Sequence, residues 1–178
     1  YEKVPAATIT ITNSGDEAID IVAKTLLNPG DYFVTTPPTY EMFSIQCQIN
    51  RGKNLEVPLQ GISFEVNVKA IIRAAQRART KMVFLVNPNN PTGSTIPLET
   101  IEKIVKQSDC VVVVDQAYGE FYGKTAIPLV KKYKNLVILK SLSKFAGLAG
   151  ARIGYLIANE SFSRIFDAIR FPMGVSYL

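Results

Sequence analysis

Histidine is missing from the 178-residue sequence. Without an imidazole there is no Ser-His-Asp triad, no Cys-His pair, no His-ligated metal and no imidazole proton relay. Proton chemistry near neutral pH therefore falls to Lys, Tyr, Asp, Glu or Cys in a tuned environment. Cysteine is scarce too. Cys47 and Cys110 lie far apart in apolar stretches, which supports neither a disulfide framework nor a Cys-rich metal site and points to reduced core residues. No apolar run reaches the roughly 20 residues needed to cross a bilayer, and the opening Tyr1-Glu2-Lys3-Val4-Pro5 lacks the shape of a signal peptide. A cytoplasmic protein with no membrane partner and no metal is expected.

What is present suits a folded domain: 47% hydrophobic and 20% charged residues exclude disorder, collagen and coiled coil. The net charge of +5 is spread over several helix-like segments, as in Arg73, Arg77, Arg79 and Lys81, then Lys131, Lys132 and Lys134. Dispersed bases without a reading motif give no reason to expect a nucleic-acid partner. The sequence starts without Met and stops at Ser176-Tyr177-Leu178 directly after a helix-like run, as expected of a piece of a longer protein.

Strand-like and helix-like segments alternate, the pattern of a single α/β domain with a mostly parallel, buried sheet and helices on both faces. Strands are expected at 7–12, 32–36, 54–59, 81–86, 110–114, 136–140 and 152–158. Helices are expected from 14 to the Pro29-Gly30 stop and at 40–49, 67–77, 98–107, 128–133 and 160–169. Ser14 and Glu17 have the spacing of a capping box, with Ser14 as N-cap. The glycine-punctuated stretch 141–151 leaves little room for a crossover helix, so the strand at 152–158 is expected to run antiparallel.

Polar and unusual residues gather just after the strand ends, the edge where open α/β sheets bind ligands. Each group has a plain reading and a functional one. Gly15-Asp16 is a helix cap or a phosphate site at a helix N-terminus. Asn87-Pro88-Asn89-Asn90-Pro91-Thr92-Gly93 is a rigid turn or a stiff mount for an amide side chain. Asp115, after four valines, is a structural ion pair or cap, or the partner of a protonated ring nitrogen. Tyr118 belongs to the core or offers its hydroxyl to the same site. Lys144 follows Ser141-Leu142-Ser143 in an otherwise apolar, Gly-rich stretch. It is a solvated surface lysine or a partly buried amine, made nucleophilic by a lowered pKa. Arg152 forms a surface ion pair or binds phosphate bidentately.

Asn87-Pro88-Asn89-Asn90-Pro91-Thr92-Gly93, Asp115-Gln116-Ala117-Tyr118, Ser141-Leu142-Ser143-Lys144 and Arg152-Ile153-Gly154-Tyr155 together resemble the ordered motif set of the class I/II aminotransferases, pyridoxal-phosphate enzymes of fold type I. Val114 to Phe121 and Leu148 to Tyr155 are most similar to the histidinol-phosphate aminotransferases of histidine biosynthesis. The resemblance implies that Lys144 forms a Schiff base with the cofactor aldehyde and Asp115 pairs with the pyridine nitrogen. Asn90 and Tyr118 would bond its phenolic oxygen, and Tyr40 would stack on the ring. Gly15, Asp16, Ser141, Ser143 and Arg152 would hold the phosphate. Lys144, Asp115 and Tyr118 form the implied catalytic set. Histidinol phosphate as amino donor and 2-oxoglutarate as 2-oxo acid are the implied substrates, and a homodimer the implied assembly. Two departures stand out: Gln116 replaces the subfamily's usual Glu, and the loop Thr12 to Asp16 is less glycine-rich than usual.

The family's N-terminal arm, and its small domain with an arginine for the substrate carboxylate, would lie outside residues 1–178. The chain is thus expected to be an incomplete large domain that binds cofactor weakly and does not turn over by itself. Three other readings compete: a lyase or decarboxylase of the same fold acting on an amino-acid phosphate, a cofactor-binding module without catalysis, and a nucleotide-binding α/β domain. The last lacks a dinucleotide fingerprint or Walker motif.

Overall fold

The computed structural model describes residues 2–175. Strands form at β1 (Ile9–Asn13), β2 (Tyr32–Thr35), β3 (Lys53–Glu56), β4 (Thr80–Val86), β5 (Val111–Asp115), β6 (Leu136–Ser141) and β7 (Ile153–Ile157). Helices form at α1 (Ser14–Leu26), α2 (Met42–Ile49), α3 (Val68–Ala75), α4 (Leu98–Gln107), α5 (Gly119–Tyr122) and α6 (Glu160–Ile169). One sheet takes all seven strands, in the order β1-β7-β6-β5-β4-β2-β3. The pairings among β2 to β6 are parallel, and β7 runs antiparallel to both β6 and β1. The reversal follows from the short connection, where Ala149–Ala151 forms only a 3-10 turn and no crossover helix fits.

Alternation along the central strands divides the core between the two faces of the sheet. Met82, Phe84, Val113, Leu139 and Leu156 pack against α1, α2 and α6, whereas Val83, Leu85, Val112, Val114 and Ile138 pack against α3 and α4. Each fully buried side chain of this size contributes roughly 1.5–3 kcal/mol. The double burial explains why β5 is unbroken valine until its last residue, Asp115. Cys47 and Cys110 are free and buried, and burial raises both thiols to about 12.

Several local expectations need correction. Residues 6–8 form a 3-10 turn ahead of β1. The helix expected at 128–133 is instead the 3-10 segment Ile127–Lys131, because the piece is too short to propagate α-helical bonds. β3 is a four-residue edge strand paired only with β2, and α5 was not anticipated. Ser14 does not cap α1. The Ser14 amide donates to the Arg152 carbonyl at 3.0 Å and the residue adopts φ 72°, so the Glu17 carboxylate accepts from the Asn13 amide instead.

That Ser14–Arg152 bond brings β7 hard against the start of α1. A Cβ at Gly154 would lie 2.5 Å from the Ser14 carbonyl carbon and 2.7 Å from the Gly15 nitrogen, closer than backbone atoms tolerate. Gly154→Ala should therefore lower the unfolding free energy by about 2–3 kcal/mol in urea titrations, the upper end of overpacking costs. An unchanged midpoint would mean that the strand moves freely away from α1.

Candidate active site

The connections after β1, β2, β4, β5 and β6 leave the sheet at one edge and meet the segment entering β7. Between them lies a cleft of about 740 Å³, counting space open to solvent. Gly15, Asp16, Tyr40, Asn90 and Asp115 line it, as do Tyr118, Ser141, Ser143, Lys144 and Arg152, so all ten expected site residues face one space. Ile19, Val86 and Leu139 provide its apolar lining.

Asp115 ends β5 with 7% of its surface exposed. Burial is the largest influence on its carboxyl and, against the opposing hydrogen bond from the Ala117 amide at 2.8 Å, raises it to about 6. The Asp16 charge raises it further, while Lys140 and Lys144 lower it. Among the described residues Asp115 has no ion-pair partner, so a buried carboxylate stands ready for a cation.

Of the two readings of Lys144, the structure shows the exposed one and not the partly buried amine. The residue lies exposed in the turn after β6, which projects from the sheet edge, with its Nζ 5.4 Å from the centre of the Tyr118 ring. Ser141 is buried and its Oγ accepts from the Ser143 amide at 3.2 Å. At the opposite wall the Tyr40 hydroxyl donates to Asp16 Oδ1 at 2.9 Å, and Arg152 Nη2 stands 3.7 Å from Asp16 Oδ2. Burial, with that hydrogen bond, pushes the Tyr40 hydroxyl up to about 12. The first amides of α1 lack intrahelical acceptors, so Gly15 and Asp16 add backbone donors at the positive end of the helix dipole.

The proline-rich loop divides its labour. Asn87 is buried and exchanges two 2.9 Å bonds with the Ile96 backbone. Asn89 donates to the Pro38 carbonyl and to Thr92 and accepts from Thr39, tying together the loops after β2 and β4. Only Asn90 of the three faces the cleft. Gln116 is fully buried, and its Oε1 accepts from Thr125 Oγ1 and the Ala126 amide, so it fastens the chain beyond α5.

The family profile Aminotransferase class I and II matches residues 2–176. The chain belongs to this family. A histidinol-phosphate aminotransferase of Thermoanaerobacter pseudethanolicus is 36% identical over 178 residues, which are 100% of this chain and 50% of that protein. The histidinol-phosphate aminotransferase of Sinorhizobium meliloti, solved in complex with pyridoxal-5'-phosphate, superposes with TM-score 0.88 at 27% identity, covering 96% of this chain and 47% of that one. An L-threonine-O-3-phosphate decarboxylase of Porphyromonas gingivalis superposes with TM-score 0.81 at 25% identity, over 99% and 54% of the two chains. The fold is that of the fold type I aminotransferases. The chain spans about half the length of the curated relatives it matches.

Two features of this aminotransferase chain escaped sequence reasoning. Asn89 looked like its neighbours in a turn, and its locking role depends on a loop 50 residues away. Lys140 is 3% exposed and pairs with Glu120, and at 3.9 Å with Glu2, on the face of β6 turned away from the cleft. A lysine in step with buried apolar residues of β6 was the available signal.

The raised Asp115 carboxyl gives a pH prediction. The native state resists its ionisation until about pH 6, whereas an unfolded Asp ionises near 3.9. Asp115 therefore lowers stability as pH rises through that window. Without added cofactor, Asp115→Asn should raise the unfolding free energy at pH 7.5 by on the order of 2–3 kcal/mol and change it little near pH 4. Urea titrations at the two pH values measure this, and an equal effect at both would sink the assignment to ionisation.

Proposed function

We propose that the chain is the cofactor-holding large-domain half of an aminotransferase that moves an amino group between histidinol phosphate and a 2-oxo acid, 2-oxoglutarate. The observation that carries this reading is the meeting, in one cleft, of an amine, a buried carboxylate lacking a cation, and a set of anion donors. These fit the three functional ends of pyridoxal phosphate: aldehyde, pyridine nitrogen and phosphate. Bound there, the cofactor supplies an aldehyde that joins amines and a ring that takes up the electron pair released at the substrate α-carbon.

The chain's own residues do the rest. Lys144 would supply the amine for the aldehyde and would carry a proton at the substrate α-carbon. Asp115 would keep a proton on the pyridine nitrogen, and a cation so held would pull its carboxyl back down from about 6. Asn90 and Tyr118 would hold the phenolic oxygen, and Tyr40 would pack on the ring. Ser141, Ser143, Arg152 and the Gly15 and Asp16 amides would hold the phosphate. None of these roles needs an imidazole. The remaining half of the protein would orient the substrate and exclude water, and the family resemblance supports a cytoplasmic homodimer.

The choice of histidinol phosphate is supported by the 36% identical relative, and a second reading by the amino-acid phosphate decarboxylase neighbour. Offered histidinol phosphate and 2-oxoglutarate, the whole protein should form glutamate. Carbon dioxide release from an amino-acid phosphate, with no glutamate, would favour the decarboxylase instead. The 178 residues alone should take up pyridoxal phosphate weakly and show no steady-state turnover.

Borohydride treatment of cofactor-loaded protein should fix the label on the Lys144 peptide, and Lys144→Ala should abolish both the label and nearly all turnover. Label on another lysine removes Lys144 from its role. Arg152→Ala should weaken cofactor retention by about 1.5 kcal/mol, roughly tenfold, in equilibrium dialysis. Unchanged retention contradicts a phosphate contact.

A further inference from the structure

Asp16 is the odd member of the anion-binding wall. Amides at a helix N-terminus, serines and an arginine all favour a negative ligand, and a carboxylate among them opposes one. Yet both Asp16 oxygens are engaged, Oδ1 by the Tyr40 hydroxyl at 2.9 Å and Oδ2 by the Arg152 guanidinium at 3.7 Å. Arg152 divides its donors, giving Nη1 to the Ala149 carbonyl at 3.2 Å. The Asp16 charge reaches across the cleft, where it is one of the influences raising the Asp115 carboxyl. The ion pair is half exposed, with 49% of the Arg152 side chain and 42% of the Asp16 side chain open to water, so it is weak enough to be exchanged.

We propose that the Asp16 carboxylate competes with a phosphate group for Arg152, so that this one residue favours the phosphate through its amide and opposes it through its side chain. The inference rests on reading the cleft as the site of a phosphate-bearing cofactor. Its consequence is selectivity. A singly charged anion, such as the carboxylate of a free amino acid, gains too little from Arg152 to displace Asp16, whereas a phosphate dianion gains more and wins the exchange.

Asp16→Asn tests this cleanly, since its amide oxygen still accepts the Tyr40 hydroxyl while the charge is gone. Wild type and variant are titrated at low salt with inorganic phosphate, followed by thermal protection, and with pyridoxal phosphate and phosphate-free pyridoxal, followed by absorbance. The variant should bind inorganic phosphate and pyridoxal phosphate roughly five- to tenfold more tightly, a gain that shrinks at high salt, with pyridoxal unchanged. In an Arg152→Ala background the gain should largely vanish. Unchanged or weaker phosphate binding in Asp16→Asn, or an equal gain for pyridoxal, overturns the proposal. The cofactor reading fails differently: no borohydride-fixed label appears on Lys144, while the inorganic phosphate titration still reports the Asp16 exchange.

Discussion

The central strands are buried on both faces, and the rest of the molecule follows from that. Side chains of β4 and β5 point into one packed layer or the other, where an unpaired polar group would cost several kcal/mol. Chemistry is thereby pushed to the strand ends, and parallel strands place those ends along a single edge. The reversed β7 adds to the edge instead of leaving it, since its entry delivers Arg152 to the cleft wall. Lys140 is the exception that respects the rule: buried in β6, it is matched by Glu120.

Features set by repetition could be read from the sequence. Four valines before Asp115 announce a doubly buried strand, and the glycines between Lys140 and Arg152 announce a turn without a crossover helix. That the expected residues would line one cleft was legible for a similar reason, because all but Arg152 end or follow a strand whose end could be located, and Arg152 opens the next one. What could not be read was set by partners far along the chain. Ser14 was expected to cap α1, but the Arg152 carbonyl takes its amide and turns it to φ 72°. Lys144 could be read as exposed or as partly buried, and only the tertiary course of the turn after β6 shows it exposed. Asn87, Asn89 and Asn90 are one residue type in one loop, yet two hold backbone and one faces the cleft.

Charge in the cleft is arranged in opposed pairs. Asp115 lies deep with Lys144 at the rim, and Asp16 and Arg152 lie together on the other wall. Depth separates their behaviour. Burial governs Asp115, so its carboxyl responds strongly to an arriving cation. Water screens Asp16 and Arg152, so they exchange partners at little cost. An acid and a base are thus set together at two places in one cleft, and depth makes them behave differently.

The contact between Gly154 and the Ser14–Gly15 backbone joins segments from near the two ends of the described chain. The wall proposed to hold phosphate draws on both segments, because α1 supplies its amides and the approach to β7 supplies its arginine. Closing so long a loop is entropically slow and comes after local structure has formed. During synthesis, the wall would be completed only after β6 and β7 have emerged and β7 has docked on β1. Capture of a phosphate-bearing cofactor would then report that the whole sheet, not merely its valine-rich centre, has assembled.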